Sequence, residues 1–168
     1  GYVEETGIAQ ILRDARILPI YEGTNGIQAM DLVGRKIISD GGHGITELIS
    51  EMKECSNSKS LAELVSNSQI TRYAKSLDDL GTATSIILNN SKDSTHSGKV
   101  AFDALMMLGT IAGAWQMLKS LERAKNASEH NSVSSEFLEE KTDTVKHYLD
   151  FILPRYLANF ATICAVSE

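Results

Sequence analysis

Glu22 is the residue of this chain best placed to do chemistry. It stands in Ile17-Leu18-Pro19-Ile20-Tyr21-Glu22-Gly23-Thr24-Asn25-Gly26-Ile27-Gln28. Pro19 fixes its own φ and pushes Leu18 out of the α region, so the preceding helix is expected to stop here. Gly23 and Gly26 permit a tight turn and the close approach of another group. Thr24 or Asn25 can cap a following helix, because their side-chain oxygens accept from free first-turn amides. Glu22 is therefore expected in a short link between two helices, just ahead of a helix N-terminus. Free amides there can hold an anion, or an oxygen that gains charge. By residue type alone, a glutamate in such a link is a solvated surface group; its neighbours have to say otherwise.

The remaining reactive types form no comparable pattern. Cys55 and Cys164 lie far apart with no CxxC, as expected of two buried or half-buried free thiols in a reducing compartment. His43, His96, His130 and His147 are scattered, three of them in polar, loop-like stretches, so no metal site is expected. The net charge of −6, with acids and bases interspersed, lacks the basic patch that nucleic acid or anionic lipid requires. No run of about eighteen apolar residues suggests a membrane span, and no signal peptide opens the chain. Because the chain starts inside a motif, at Gly1, it is expected to be a fragment of a longer, cytoplasmic protein.

The elements that must position Glu22 are helices. With 168 residues, 42% of them apolar, there is material for one or two small domains with a real core. Only two prolines fit long helices. Val3–Arg16 reads as a helix with Ile8, Ile11, Leu12 and Ala15 at helical spacing. Arg13 and Arg16 near its end either bridge at the surface or serve a structural role. Thr24–Ser39 reads as a second helix with Ile27, Met30, Val33, Ile37 and Ile38 on one stripe, and with Asp31 and Arg35 as an i,i+4 pair. Asp40-Gly41-Gly42-His43-Gly44 is a strong break and the expected domain boundary, separating residues 1–40 from 45–168.

Beyond it, Ile45–Cys55 is a helix. Ser66–Ser68 is the expected cap of a long helix whose stripe begins at Ile70, and Asn89–Ser97 breaks it. Val100–Lys125 is the most apolar helix. Phe102, Leu105, Met106, Gly109, Ala112, Gly113 and Met117 are expected to line one side, with Leu108, Ile111, Trp115 and Leu118 broadening it. Gly109 and Gly113 suggest a close helix neighbour, and the methionines read as core filler. Ser134 or Ser135 caps the last helix, which turns Phe137, Val145, Tyr148, Leu149, Ile152, Tyr156, Phe160 and Ile163 inward. Pro154 removes the bond to the Asp150 carbonyl and should kink that helix. The expected fold is all-α: an antiparallel bundle of about four helices over 45–168, preceded by two helices.

Arg13-Asp14-Ala15-Arg16-Ile17, then Ile20-Tyr21-Glu22-Gly23-Thr24-Asn25, then Ile27-Gln28, closely resembles the C-terminal signature of the acyl-CoA dehydrogenases. Gly1-Tyr2 looks like the end of that family's glycine-rich segment. The match runs about thirty residues without a gap. Tyr-Leu-Asp-Phe-Ile-Leu-Pro-Arg (148–155) and the glycine-containing helix before it resemble, more loosely, the extra C-terminal helical domain of the larger bacterial members, including those acting on methylthio-substituted acyl thioesters.

The resemblance implies that a carboxylate removes the α-proton of an acyl-CoA thioester while the β-hydride moves to FAD, giving a trans-2-enoyl-CoA. It implies Glu22 as the catalytic base, with its own amide donating to the thioester oxygen, and Gly23 leaving room for the substrate. Thr24, Asn25 and Gly26 align with positions that contact FAD. Gly26 replaces a larger polar residue, so only backbone contact is expected there. Tyr21 is expected to pack at the helix junction rather than line the acyl pocket. The resemblance also implies electron-transferring flavoprotein as the electron acceptor and a homo-oligomer. The competing expectation is a non-catalytic helical interaction or oligomerisation domain, since no other flavin-cradling segment exists in the chain and the fragment alone is expected to be inactive. In either case the stripes Ile8/Ile11/Leu12 and Met30/Val33/Ile37 are expected to be exposed unless they fold back on the bundle or pair between chains, so that residues 1–40 associate or lack order.

Overall fold

The computed structural model describes residues 7–21 and 25–166, and side chains over 7–17 and 25–166. Among the described residues every regular element is helical, which makes the fold all-α. Helix α1 (Ile8–Tyr21) follows Gly7, whose φ of +72° ends the helical path upstream. The expected start at Val3 lies outside the described residues. The expected stop at Pro19 does not occur, and α1 runs through it to Tyr21. A proline removes one backbone bond, and here the neighbouring bonds carry the last turn.

Helix α2 (Asn25–Asp31) continues into a π-helical stretch, Leu32–Ile38. Together they fill the expected second helix, apart from Thr24, which lies outside the described residues. The glycine break is where it was expected: Gly41 and Gly42 take φ of +66° and +80°. A Cβ on Gly42 would lie 2.8 Å from Leu88 Cδ1, so the chain turns here in close contact with the long helix α5 (Asn67–Asn89).

Between them run α3 (His43–Glu54), a 3-10 turn Cys55–Asn57 and α4 (Lys59–Ala62). Helix α5 opens with a full capping box: Ser66 Oγ accepts from the Gln69 amide, and Gln69 Oε1 accepts from the Ser66 amide at 2.9 Å. Helix α6 (Ser94–Glu129) starts earlier than the expected Val100, because the Asp93 side chain caps the Thr95 amide at 2.8 Å. Ser134 caps α7 (Ser135–His147) through the Phe137 amide, settling the choice between Ser134 and Ser135.

Beyond α7 the expected proline kink takes a particular form: a π turn (Tyr148–Ile152), a 3-10 turn (Leu153–Arg155), then α8 (Tyr156–Ala165). The bundle's long members are α3, α5, α6 and the α7–α8 arm.

Helix α6 is the axis of the bundle. Its buried line is Val100, Ala104, Met107, Ile111, Ala114, Leu118 and Leu121, spaced alternately four and three. The expected stripe through Phe102 and Met106 was phased wrongly, since these side chains are 50% and 42% exposed. An almost uniformly apolar helix has no polar face to fix its rotation, so periodicity could not choose the inner side. Close approach occurs at Gly113, where the Tyr148 ring lies against the backbone, and not at Gly109, where a Cβ would meet nothing within 4 Å.

By length and composition α6 would also suffice to cross a membrane. The expectation that nothing in the chain could do so is thereby corrected, although a bundle's central helix has this same composition. Among the inward residues expected of the last arm, Val145, Leu149, Tyr156 and Ile163 are buried, while Phe137 is exposed.

The core is one continuous cluster that includes Ala29, Val33 and Ile37 beside residues of every bundle helix from α3 to α8. The second helix has thus folded back onto the bundle, and the expected exposure of Val33 and Ile37 is corrected. Ile27 and Met30 face outward, as do Ile8, Ile11 and Leu12 of α1.

Candidate active site

Glu22, Gly23 and Thr24 lie outside the described residues, between the end of α1 and the start of α2. The two helices bracket them as the sequence required. Asn25 and Gly26 are the first two residues of α2, both exposed. Asn25 is thus inside the helix rather than ahead of it. A Cβ on Gly26 would meet no atom within 4 Å, so the backbone there faces open space. Three positions on, the helix turns its other side inward: Ala29 is 1% exposed. Asp31 and Arg35 form the expected i,i+4 pair at 2.9 Å.

The other candidates are brought together with nothing catalytic. Cys55 is buried and Cys164 half-buried, both free, as the sequence indicated. Cys55 opens on a small cleft with Glu51, Ser58, Trp115, Lys119 and Glu122. Burial pushes its thiol pKa up, and the nearby Glu122 carboxylate adds to the rise. A thiol held protonated in this way is a poor nucleophile. Glu122 accepts from the hydroxyls of Ser58 and Ser60, and Lys119 lies 4.4 Å from the Trp115 ring centroid and 3.6 Å from Glu51. The cleft is internally paired.

The histidines sit at helix ends. His43 contacts the Asp40 carbonyl, His130 the Asn126 carbonyl at 2.7 Å, and His147 packs on Phe151 at 4.9 Å between centroids. His96 is buried in the first turn of α6. Among the described residues no three potential ligands gather into a metal-binding group.

Sequence reasoning missed two long-range polar clusters. Arg72 donates to the Leu149 carbonyl at 2.9 Å and to Asp150 at 2.7 Å, and Gln69 Nε2 donates to Asp150 at 2.8 Å. Tyr156 donates to Asp79 at 2.8 Å, and Lys75 holds the same carboxylate at 2.9 Å. The partners lie about eighty positions apart, so no local pattern announces them. Both clusters tie the last arm to α5, and neither approaches an open cleft of catalytic form.

What remains is an all-helical module with an acid-bearing link at its head and an open helix start behind that acid. Residues 48–168 match the family model described as acetyl-CoA dehydrogenase C-terminal like, and residues 1–38 match the acyl-CoA dehydrogenase C-terminal domain. The chain belongs to the acyl-CoA dehydrogenase family. It is 36% identical, over 97% of its length, to 3-methylmercaptopropionyl-CoA dehydrogenase of Ruegeria pomeroyi, of which it covers 28%. It is 26% identical, over 92% of its length, to the broad-specificity linear acyl-CoA dehydrogenase of Mycobacterium tuberculosis, of which it covers 26%. The mitochondrial very long-chain specific enzyme of Macaca fascicularis is 30% identical over 68% of the chain, which covers 17% of it. The chain thus spans about a quarter of the length of the first two curated relatives.

Proposed function

We propose that this chain is the C-terminal portion of an FAD-dependent acyl-CoA dehydrogenase that oxidises an acyl-CoA thioester to a trans-2-enoyl-CoA. The observation that carries the reading is the placement of the Glu22 motif, within the part that matches the dehydrogenase C-terminal domain, directly ahead of α2. Glu22 is the base that removes the α-proton. The thioester acidifies that carbon, and a carboxylate buried beside the substrate has its pKa raised towards what the task requires. The Glu22 amide donates to the thioester oxygen as it gains charge, and Gly23 leaves room for it.

FAD, when bound, supplies the hydride acceptor. The described residues fit it as one wall only: Asn25 and Gly26 present an exposed edge with open space at Gly26, and no described cleft is lined by them. With Thr24 they would hold the cofactor's edge, Gly26 through its backbone. The rest of the pocket would come from a longer protein, in which residues 1–40 finish the dehydrogenase's helical domain and 45–168 form the extra bundle. Electron-transferring flavoprotein as acceptor, a homo-oligomeric enzyme and a cytoplasmic setting complete the proposal.

Replacing Glu22 with Gln in the complete enzyme tests it. Flavin reduction by acyl-CoA is expected to fall, and near-normal reduction would defeat the assignment. The same open edge favours a second reading for the chain by itself, that of a helical interaction domain without activity. Titration with FAD is expected to give no tight yellow complex, and a stoichiometric one would overturn this second reading.

A further inference from the structure

We infer that the bundle is the mount of the acid-bearing link, and that Ala29, Val33 and Ile37, with the extra winding of the π stretch 32–38, are positioning residues that set the link's rotation. This rests on the reading of Glu22 as the base.

Helix α2 begins three positions after Glu22, so whatever fixes its axis and rotation fixes the link. Ala29, Val33 and Ile37 are 1%, 0% and 3% exposed and belong to the same core as α6. They are spaced four apart. In an α-helix that spacing drifts around the axis by about 40° per step, whereas i→i+5 winding lessens the drift and keeps the three on one line against the bundle.

The far end of the segment is fixed as well. The Gly34 carbonyl accepts both the Ser39 amide, at 3.1 Å, and the Ser39 hydroxyl, at 2.8 Å, closing the π winding. The Gly42 amide donates to the Ile37 carbonyl at 2.8 Å, and Gly42 lies hard against Leu88. The Asp31–Arg35 pair spans the junction of the two windings. A segment held at both ends and along one face has a single rotational setting. Removing one residue from it would convert π to α winding and rotate α2 by about 100° against the bundle, taking the link with it.

The test compares deletion of Gly34 with Gly34→Ala in the complete enzyme. The alanine variant keeps the length, and its Cβ would meet nothing within 4 Å. It is expected to stay within about threefold of the parent in kcat and KM. The deletion is expected to lower kcat about a hundredfold, with flavin content and KM for acyl-CoA nearly unchanged. A deletion variant with parental kcat overturns the inference. So does one that loses flavin together with kcat, which would make the segment's role one of folding.

Hydrogen exchange on the 168-residue chain gives an independent check. Amides of 29–38 are expected to exchange with the α6 core, about a hundredfold more slowly than those of α1. Exchange as fast as in α1 would overturn the mount, whatever Glu22 does. Conversely, intact flavin reduction in Glu22→Gln, with 29–38 protected, would defeat the proposed reaction and leave the mount standing.

Discussion

Gly113 shows how much one absent methyl group decides. The Tyr148 ring lies over its backbone and donates to the Thr110 carbonyl at 3.1 Å, while a Cβ at 113 would come within 2.8 Å of Tyr148 Cζ. Gly113→Ala is expected to push the ring out and destabilise the chain by about 1–3 kcal/mol in urea unfolding. Gly109→Ala meets nothing and is expected to be neutral or stabilising by up to about 1 kcal/mol, as an exposed helical glycine replaced by alanine. The GxxxG pattern was legible as close packing. Which glycine was approached was not, because the answer depends on a tyrosine 35 positions away. Cys55 makes a similar point. With its thiol buried and its pKa raised, alkylation at pH 7 is expected to reach half-buried Cys164 first; faster labelling of Cys55 would contradict the description of that cleft.

Among the elements, the last arm has the least regular geometry. The Leu153 amide bonds five residues back to the Tyr148 carbonyl. In that winding the next carbonyl, Leu149, looks to residue 154 for its donor, and residue 154 is a proline without one. Arg72 of α5 supplies it at 2.9 Å. Arg72→Ala is expected to cost about 1–3 kcal/mol by leaving that carbonyl short. The loss is expected to be smaller in a Pro154→Ala background, where a backbone donor returns; equal losses in both backgrounds would show that the two sites do not couple.

Arg72 and Gln69 also hold Asp150, and the Arg72 hydrogen bond first of all keeps its carboxyl below the usual carboxylate range. The depressed folded value means that the contribution is complete above the unfolded pKa of about 4 and drains away as pH falls through the folded one. Asp150→Asn is therefore expected to flatten the acid limb of stability below about pH 4, while changing little in its slope near neutrality.

Element by element, the caps and breaks were legible because they are local chemistry: Ser66-x-x-Gln69 and Asp40-Gly41-Gly42 act on their own backbone. The phase of α6 and the continuation of α1 through Pro19 were not. The first has no polar face to orient it, and the second turns on neighbouring bonds that residue types do not reveal.

For the whole molecule, the main correction concerns how its two segments relate. Composition and the glycine break suggested a tail of two helices beside a separate bundle. Instead α2 contributes Ala29, Val33 and Ile37 to the bundle's own core, and α1 keeps Ile8, Ile11 and Leu12 outward. Periodicity identified each apolar stripe but could not say which would find a partner, because burial depends on what the rest of the chain offers. The acid itself was legible from its neighbours, and the family matches agree with the signature that surrounds it. The account stands on Glu22 as the group that takes the α-proton. The most direct measurement is stopped-flow bleaching of the flavin by acyl-CoA in the complete enzyme, parent against Glu22→Gln. The rate of reduction is expected to fall about a hundred- to ten-thousandfold with flavin still bound. Reduction at the parental rate would contradict the account.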